Sequence, residues 1–271
     1  MPIAHLNGID LFYLTAGEGL PCLVMHGGLG FDHTCLHPWL DPLADVFHLV
    51  YYDHRANGRS GRSPLETLTL EQFAADADAL RAFLGFETVA VMGHSVGGFI
   101  ALTFALHYPE RVSHLILMDT APAFNYMEEI MVNAQRKGAT DEMIAALQAP
   151  SPLDNEEFKR MLHVITPLYF YQFDQALAEQ LTANIMLSAF AAASNDVFMP
   201  TYNVVSQLGE IRVPTLILTG RDDFICPPSQ AEIMHKGIPS SELVIFERSG
   251  HFPHVEEPDA FFGAVRNWLT R

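Results

Sequence analysis

The chain has little positive charge. It contains 15 lysine and arginine residues against 32 aspartate and glutamate residues in 271, which gives a formal net charge of −17. Nucleic acids and anionic membrane surfaces are bound by clustered basic side chains, so we expect neither as a partner. We interpret the negative charge as a diffuse surface charge that favours solubility.

Cysteine is also scarce. Cys22, Cys35 and Cys226 are odd in number and far apart in the sequence, which fits neither a disulfide framework nor a zinc motif. We therefore predict reduced thiols. His33 and His37 flank Cys35 at a spacing that a metal ion could use, but no carboxylate-rich motif accompanies them. The sequence predicts no metal site and no cofactor.

Long apolar runs are missing as well. No run reaches the roughly 18 residues of a membrane-spanning helix, and no basic region followed by an apolar one marks a signal peptide. Hydrophobic residues make up 49% of the chain and charged residues 17%, which is typical of a globular protein. We expect a cytoplasmic protein that acts on a small molecule. Whether it forms a homo-oligomer is left open.

Residues 88–106 organise the remaining motifs. Apolar, partly β-branched residues lead into Gly93-His94-Ser95-Val96-Gly97, and apolar residues at helical spacing follow. This pattern predicts a strand that turns sharply into a helix, with Ser95 at the corner. A β-carbon at Gly93 or Gly97 would collide with the neighbouring strand and helix. Because the turn raises its hydroxyl above the carboxyl edge of the sheet, Ser95 is the candidate nucleophile.

The order of elements predicts an α/β fold with a mostly parallel sheet flanked by helices. Residues 1–120 and 207–271 alternate strands with loops and helices, and we assign them to one core that opens with a hairpin at Asn7-Gly8. Residues 121–206 contain no convincing strand and are interpreted as an inserted helical lid. The predicted lid helices cover residues 127–137, 141–147, 155–165 and 174–192.

A serine hydroxyl needs a general base, and the base needs a carboxylate that fixes its tautomer. Asp222 and Asp223 follow one predicted strand, and His251 follows the next. Because the carboxyl ends of parallel strands meet at one sheet edge, these side chains are expected near Ser95. Asp119, at a further strand end, is an alternative carboxylate.

Together these motifs resemble the α/β-hydrolase family over nearly the whole chain, and they are highly specific for its fold. The matching pieces are His26-Gly27-Gly28, Asp53-His54-Arg55 with Gly58-Arg59-Ser60, Gly93 to Gly97, Gly220-Arg221-Asp222-Asp223 with Pro227, and Gly250-His251. The glycine-rich loop and Tyr52-Asp53-His54-Arg55 resemble the proline iminopeptidase-like branch, which also contains many esterases.

Carried over by position, the resemblance implies a serine hydrolase that works through an acyl-enzyme. Ser95 would attack an acyl carbon, His251 would take its proton and return it to the leaving group, and Asp223 would orient His251. The family's acid usually stands where Asp223 does, between the glycine and the proline. The backbone N–H groups of Gly28 and Val96 would form the oxyanion hole.

Other polar residues of these motifs are given structural roles. Asp222 is predicted to form a turn or to face solvent, and His26 and His94 are predicted to hold loops. Asp53 and Arg55 are predicted to pair beneath the site.

The predicted lid is rich in phenylalanine, tyrosine and methionine between residues 124 and 202. Most of these side chains are needed to pack the lid onto the core. The others favour an adaptable apolar pocket, so the favoured activity is carboxylesterase-like cleavage of a small to medium acyl ester.

A proline iminopeptidase-type aminopeptidase is the first alternative. Such enzymes often have Gly-Gly-Ser-Trp-Gly at the nucleophile and acidic residues that hold the substrate amine. Here the nucleophile motif differs, and Phe224 rather than an acid follows the predicted catalytic aspartate. Acidic candidates in the lid are Glu128, Glu129, Glu156 and Glu157.

Three further activities are weighed. Carbon–carbon bond hydrolases of this fold often carry tryptophan where the chain has Phe252, and lactonases are a related alternative. Epoxide hydrolases and dehalogenases need aspartate at position 95 and are excluded. The alternative outside enzymes is a hydrolase-like small-molecule receptor, which would release its ligand unreacted.

Overall fold

A computed structural model describes residues 2–152 and 154–271. Its eight described strands form one sheet in the order β1-β2-β4-β3-β5-β6-β7-β8. Strands β1 and β2 are antiparallel to their neighbours and the others are parallel. The strands are β1 (Ile3–Leu6), β2 (Ile9–Ala16), β3 (Leu20–Met25), β4 (Phe47–Tyr52), β5 (Val89–His94), β6 (Val112–Met118), β7 (Thr215–Gly220) and β8 (Ser241–Phe246). The predicted mostly parallel sheet is confirmed.

Helices cover both faces of the sheet and fill the chain between β6 and β7. Those of the core are α1 (Leu70–Phe83), α2 (Val96–His107), α9 (Pro228–Gly237), α10 (Pro253–Glu256) and α11 (Pro258–Leu269). Between β6 and β7 lie α3 (Met127–Arg136), α4 (Asp141–Leu147), α5 (Asn155–Ile165), α6 (Gln175–Thr182), α7 (Ala189–Ala192) and α8 (Asn195–Phe198). We call residues 121–206 the helical insert. No described helix is long and apolar enough to cross a lipid bilayer.

The predicted hairpin at the start of the chain is confirmed. Leu6 pairs with Ile9 across the turn, and the two turn residues, Asn7 and Gly8, have φ of 48° and 78°. A two-residue turn with both φ positive matches the right-handed twist of the strands it joins, and asparagine followed by glycine adopts it at least cost.

The core lies on both faces of the sheet because side chains alternate along each strand. In β3, Leu23 and Met25 pack in the cluster that contains α1 and α2, whereas Cys22 and Val24 pack in the cluster that contains α11. Parallel strands covered on both faces have continuous apolar sequences, which explains the apolar runs that marked these strands.

The helix predicted over residues 174–192 is wrong in its middle. Helix α6 ends at Thr182 and α7 begins at Ala189, so residues 183–188 are not helical. Core groups bind the backbone here: Met186 N–H donates to Asp32 Oδ2 (3.3 Å), and Ser188 N–H donates to the Gly30 carbonyl (2.9 Å). Contacts outside the segment therefore override its local helical pattern.

The predicted Asp53–Arg55 pair is also wrong. Arg55 Nε and Nη2 donate to the two carboxylate oxygens of Asp76 on α1, at 2.6 and 2.7 Å, and both side chains are buried. A guanidinium and a carboxylate match each other's geometry in this two-bond arrangement. The Asp53 carboxylate instead accepts hydrogen bonds from His33 and from the Arg59 N–H. Both residues remain structural, but each has a different partner.

Candidate active site

Ser95 lies at the corner between β5 and α2, with φ of 53° and ψ of −123°. This backbone conformation is rare for a residue with a side chain, and such strain costs about 1–3 kcal/mol. Three hydrogen bonds hold it: Ser95 N–H donates to the Met118 carbonyl (3.0 Å), and the Ser95 carbonyl accepts from Gly98 N–H (2.8 Å) and from Thr120 Oγ1 (2.7 Å). The predicted sharp strand-to-helix turn is confirmed.

The two glycines around Ser95 are required by close packing. A β-carbon on Gly93 would overlap the Gly97 carbonyl oxygen, and one on Gly97 would overlap the carbonyl oxygen of Met25 at the end of β3. Because both obstacles are backbone atoms, rotating a side chain could not relieve the overlap. The steric reason predicted for these glycines is confirmed.

His251 and Asp223 form a buried hydrogen-bonded pair. His251 Nδ1 lies 2.7 Å from Asp223 Oδ2, while Asp223 Oδ1 accepts from the N–H groups of Ile225 (3.0 Å) and Cys226 (3.1 Å). Both oxygens of the carboxylate are thus occupied. A proton on Nδ1 satisfies this bond and leaves Nε2 with a lone pair, which is the tautomer that a general base needs.

The other two aspartates at the carboxyl ends of these strands, Asp119 and Asp222, are not the hydrogen-bond partner of His251 Nδ1. Asp119 is buried, and its Oδ1 accepts from Gly220 N–H at 2.9 Å. Burial and the negative charge of Asp223 raise the pKa of Asp119 well above its ordinary value. Asp222 is half-buried and forms an ion pair with Lys137. It therefore does not simply face solvent, as one interpretation of the sequence held.

Ser95 and His251 line one cavity of about 1560 Å³, together with Gly28 and Val96. Within residues 2–152 and 154–271, no hydrogen bond joins the Ser95 hydroxyl to His251, and the N–H groups of Gly28 and Val96 donate to no protein atom. These two N–H groups are therefore available to a ligand in the cavity.

The glycine-rich loop before the cavity is fixed from two sides. Gly30 N–H donates to Asn57 Oδ1 at 2.6 Å, and the Gly30 carbonyl accepts from Ser188 in the helical insert at 2.9 Å. Gly30 has φ of 103°, and a β-carbon there would lie 2.6 Å from the Phe158 ring. The sequence gave no signal for Asn57 or Ser188 as partners of this loop.

A cluster of possible metal ligands, Asp32, His33 and Asp53, lies beside this loop. Asp32 accepts from Thr34 and, at 3.0 Å, from Arg59, while Asp53 accepts from the ring and the N–H of His33. Burial would raise the pKa of the Asp53 carboxyl, but the hydrogen bond and charge of His33 hold it below its ordinary value. Because both carboxylates already accept hydrogen bonds from these donors, we interpret the cluster as a support for the glycine-rich loop.

His94 and His26 hold loops, as predicted. His94 Nε2 lies 3.0 Å from the carbonyl of His251, and His26 Nε2 accepts from the His54 N–H at 3.2 Å. Burial lowers the pKa of both imidazoles. A neutral His94 with its proton on Nε2 can donate to the His251 carbonyl and so support the loop that carries this residue.

Glu256 also supports that loop, and the sequence gave no signal for it. Its two oxygens accept from Gly250 N–H and from Tyr171 N–H in the helical insert, both at 2.7 Å. Burial nevertheless raises the pKa of the Glu256 carboxyl to about 7.

The raised pKa of Glu256 predicts a pH-dependent contribution to stability. Between the ordinary glutamate pKa of 4.5 and about 7 the folded chain holds a proton that the unfolded chain releases, so the free energy of unfolding falls as pH rises through this range. Urea unfolding of wild type and Glu256→Gln from about pH 5 to about pH 8 should show wild type losing stability relative to the variant. If the difference in free energy of unfolding between wild type and variant stays constant over this range, the raised pKa of Glu256 is contradicted.

Comparisons with known proteins identify the family. The chain matches the family model of the alpha/beta hydrolase fold over residues 21–258. The proline iminopeptidase PfmaB of Pestalotiopsis fici is 32% identical, with 98% of each chain covered. A thermophilic esterase from Thermogutta terrifontis superposes with a TM-score of 0.77 at 27% identity, covering 98% of this chain and 95% of the esterase. The enol-lactonase from Burkholderia xenovorans LB400 has a TM-score of 0.80 at 22% identity and full coverage of both chains, which shows the shared fold.

The chain belongs to the α/β-hydrolase family, and it is a hydrolase of that family. The resemblance inferred from its motifs is confirmed.

Proposed function

We propose that this protein is a serine hydrolase that cleaves a small to medium acyl ester through an acyl-enzyme. The observation that carries the proposal is the hydrogen bond of 2.7 Å from His251 Nδ1 to Asp223, which leaves Nε2 as a base in the cavity that Ser95 also lines. A positioned base of this kind is what a serine hydroxyl lacks on its own.

In the proposed reaction, His251 Nε2 takes the proton of the Ser95 hydroxyl as its oxygen bonds to the acyl carbon. The N–H groups of Gly28 and Val96, free of protein partners, stabilise the negative oxygen of the tetrahedral intermediate. His251 then gives the proton to the departing alcohol. Water, activated by the same imidazole, attacks the acyl-enzyme and releases the acid. Asp223 keeps the ring in the required tautomer throughout.

The lining of the cavity supports an uncharged acyl group. The core and the insert contribute apolar side chains to it, namely Phe99, Phe124, Met127, Ile130, Met199 and Ile225. Burying alkyl or aryl surface against these side chains is favourable. The lining also includes charged residues of the insert, namely Glu142, Glu156, Lys159, Arg160, Glu179 and Asp196. We propose that the helical insert acts as the lid over this surface.

Aminopeptidase activity is the second candidate, favoured by the 32% identity to a proline iminopeptidase. Such an activity needs a carboxylate that pairs with the free amine of the substrate. Of the acidic residues proposed for this role, Glu156 lines the cavity. Glu129 is instead bound by Ser229 Oγ at 2.7 Å on the core.

A substrate panel separates the two activities. We expect kcat/KM for L-proline p-nitroanilide to be at least about tenfold below that for p-nitrophenyl esters and no higher than that for its N-acetylated counterpart, because the apolar part of the lining offers the substrate ammonium no partner. N-acetyl-L-proline p-nitroanilide is the matched control that lacks the amine charge. A higher kcat/KM on the free-amine anilide than on both the esters and the acetylated control would establish the aminopeptidase instead.

A further inference from the structure

Lys137 occupies an unusual position for a lysine. It follows the last residue of α3 in the helical insert, and only 7% of its side chain is exposed. Lysine is almost never this buried without partners. Its ammonium group donates to the Phe170 carbonyl (2.8 Å), to the Asp222 carbonyl (3.2 Å) and to the Asp222 carboxylate. The three N–H donors of the ammonium thus have three acceptors on two different segments.

The segment that contains Asp222 also carries the proposed catalytic acid, Asp223. The Asp222 carbonyl belongs to the peptide unit that leads into Asp223, and the Asp222 N–H donates to the Ser249 carbonyl at 3.0 Å. Because a peptide unit is planar, a bond to this carbonyl also fixes the orientation of the Asp223 N–H and limits the position of its Cα. Arg136 lies 3.9 Å from the Asp222 carboxylate, but its side chain is 61% exposed.

The second segment, residues 169–171, crosses the loop that carries the proposed base, and we call it the strap. The Tyr169 carbonyl accepts from His251 N–H at 2.7 Å, and Tyr171 N–H donates to Glu256 at 2.7 Å. The Tyr169 ring also packs edge-on against His251, with centroids 5.3 Å apart. The strap therefore holds the backbone of His251, and Lys137 binds the residue at its centre.

We propose that Lys137 is a positioning residue, which joins the strap to the turn of Asp223 and thereby sets the geometry of the Asp223–His251 pair. This inference rests on the proposed function. Lys137 touches no reacting atom, and it acts through two backbone carbonyls.

The test compares Lys137→Met, Lys137→Arg and Asp222→Asn with wild type on a p-nitrophenyl ester, with rates expressed per Ser95 labelled by a fluorophosphonate. Methionine fills similar space but donates no hydrogen bond, so we expect kcat to fall about 10- to 100-fold while KM stays within about threefold. In the plot of kcat against pH, the acidic limb should move to lower pH, because a less well oriented Asp223 carboxylate stabilises the protonated imidazole of His251 less. Asp222→Asn keeps the backbone acceptor and should lose less activity. Arginine, which keeps the charge and the donors, should restore most of the rate.

Lys236→Met is the control, since Lys236 is 76% exposed on α9 and pairs with Glu232 on the same helix. A purely structural role of Lys137 would lower the thermal midpoint and the labelled fraction but leave the rate per labelled site and the acidic limb unchanged, and this result would overturn the proposal. If Lys137→Met does not fold, Lys137→Gln, a shorter side chain that carries no charge and has only two N–H donors, decides by the same two readouts. The proposal can also fail while the proposed function stands. If Ser95→Ala is inactive but Lys137→Met has the same rate per labelled site as Lys236→Met, only the positioning role is rejected.

Discussion

Replacing Ser95 by alanine is expected to lower kcat/KM for p-nitrophenyl esters by at least about 10⁴-fold, because the bond to the acyl carbon can no longer form. The hydrogen bonds that hold the corner use the backbone of residue 95 and Thr120, so the alanine variant should keep the fold. Spectrophotometric release of p-nitrophenol measures the rate, and a fluorophosphonate probe measures labelling.

Ser206→Ala is the matched control for this experiment. Ser206 is exposed in the short helix Val205–Glu210 that precedes β7, and the loss of its hydroxyl should change neither rate nor labelling. Turnover by Ser95→Ala close to that of the control would contradict the proposed nucleophile. Tight ligand binding by wild type without turnover would favour the receptor alternative.

Replacing Asp223 by asparagine is expected to lower kcat by about 10³- to 10⁴-fold with a smaller change in KM. The amide NH₂ of asparagine can donate to His251 Nδ1, which moves the imidazole proton to Nε2 and removes the lone pair that accepts the serine proton. The amide oxygen can still accept from the N–H groups of Ile225 and Cys226. The turn should therefore stay in place, and the loss is expected in kcat.

Asp119→Asn separates this role from that of the alternative carboxylate. Asp119 is bonded to Gly220 N–H, and burial raises its pKa well above the ordinary value, so an uncharged amide of the same shape changes little there. We expect at most about a fivefold loss of kcat, since the exchange keeps the shape of the side chain and alters no group proposed to touch the reacting atoms. A loss in Asp119→Asn as large as that in Asp223→Asn would assign the acid to Asp119.

The sequence predicts the parts of the fold and the site that depend on local rules. The hairpin at Asn7-Gly8 and the corner at Ser95 follow from backbone conformations or close approaches that few residues allow. The apolar strands of the parallel sheet follow from burial on both faces. His251 and Asp223 could be placed at one edge because parallel strands bring their carboxyl ends together, and their direct hydrogen bond agrees with that placement.

The sequence does not predict which distant groups satisfy a polar side chain. Arg55 was paired with its neighbour Asp53, whereas the structure pairs it with Asp76, 21 residues along the chain. The helical pattern of residues 183–188 is overridden by hydrogen bonds to Asp32 and Gly30. Lys137 and Glu256 resemble ordinary surface charges until the fold brings backbone groups of other segments to them. In each case, the deciding partner is far away in sequence, and no periodicity or motif carries that information.

The packing of Gly30 limits how the helical insert can be exchanged between proteins. The ring of Phe158 and the carbonyl of Ser188 lie directly against Gly30, and the Ser188 N–H holds the carbonyl of the same glycine. Residues of the insert therefore help to set the shape of the glycine loop, and residues of the insert also line the cavity. A chimaera that receives a foreign insert must therefore also bring a matching serine and aromatic side chain, or the loop that carries Gly28 and Gly30 will change shape.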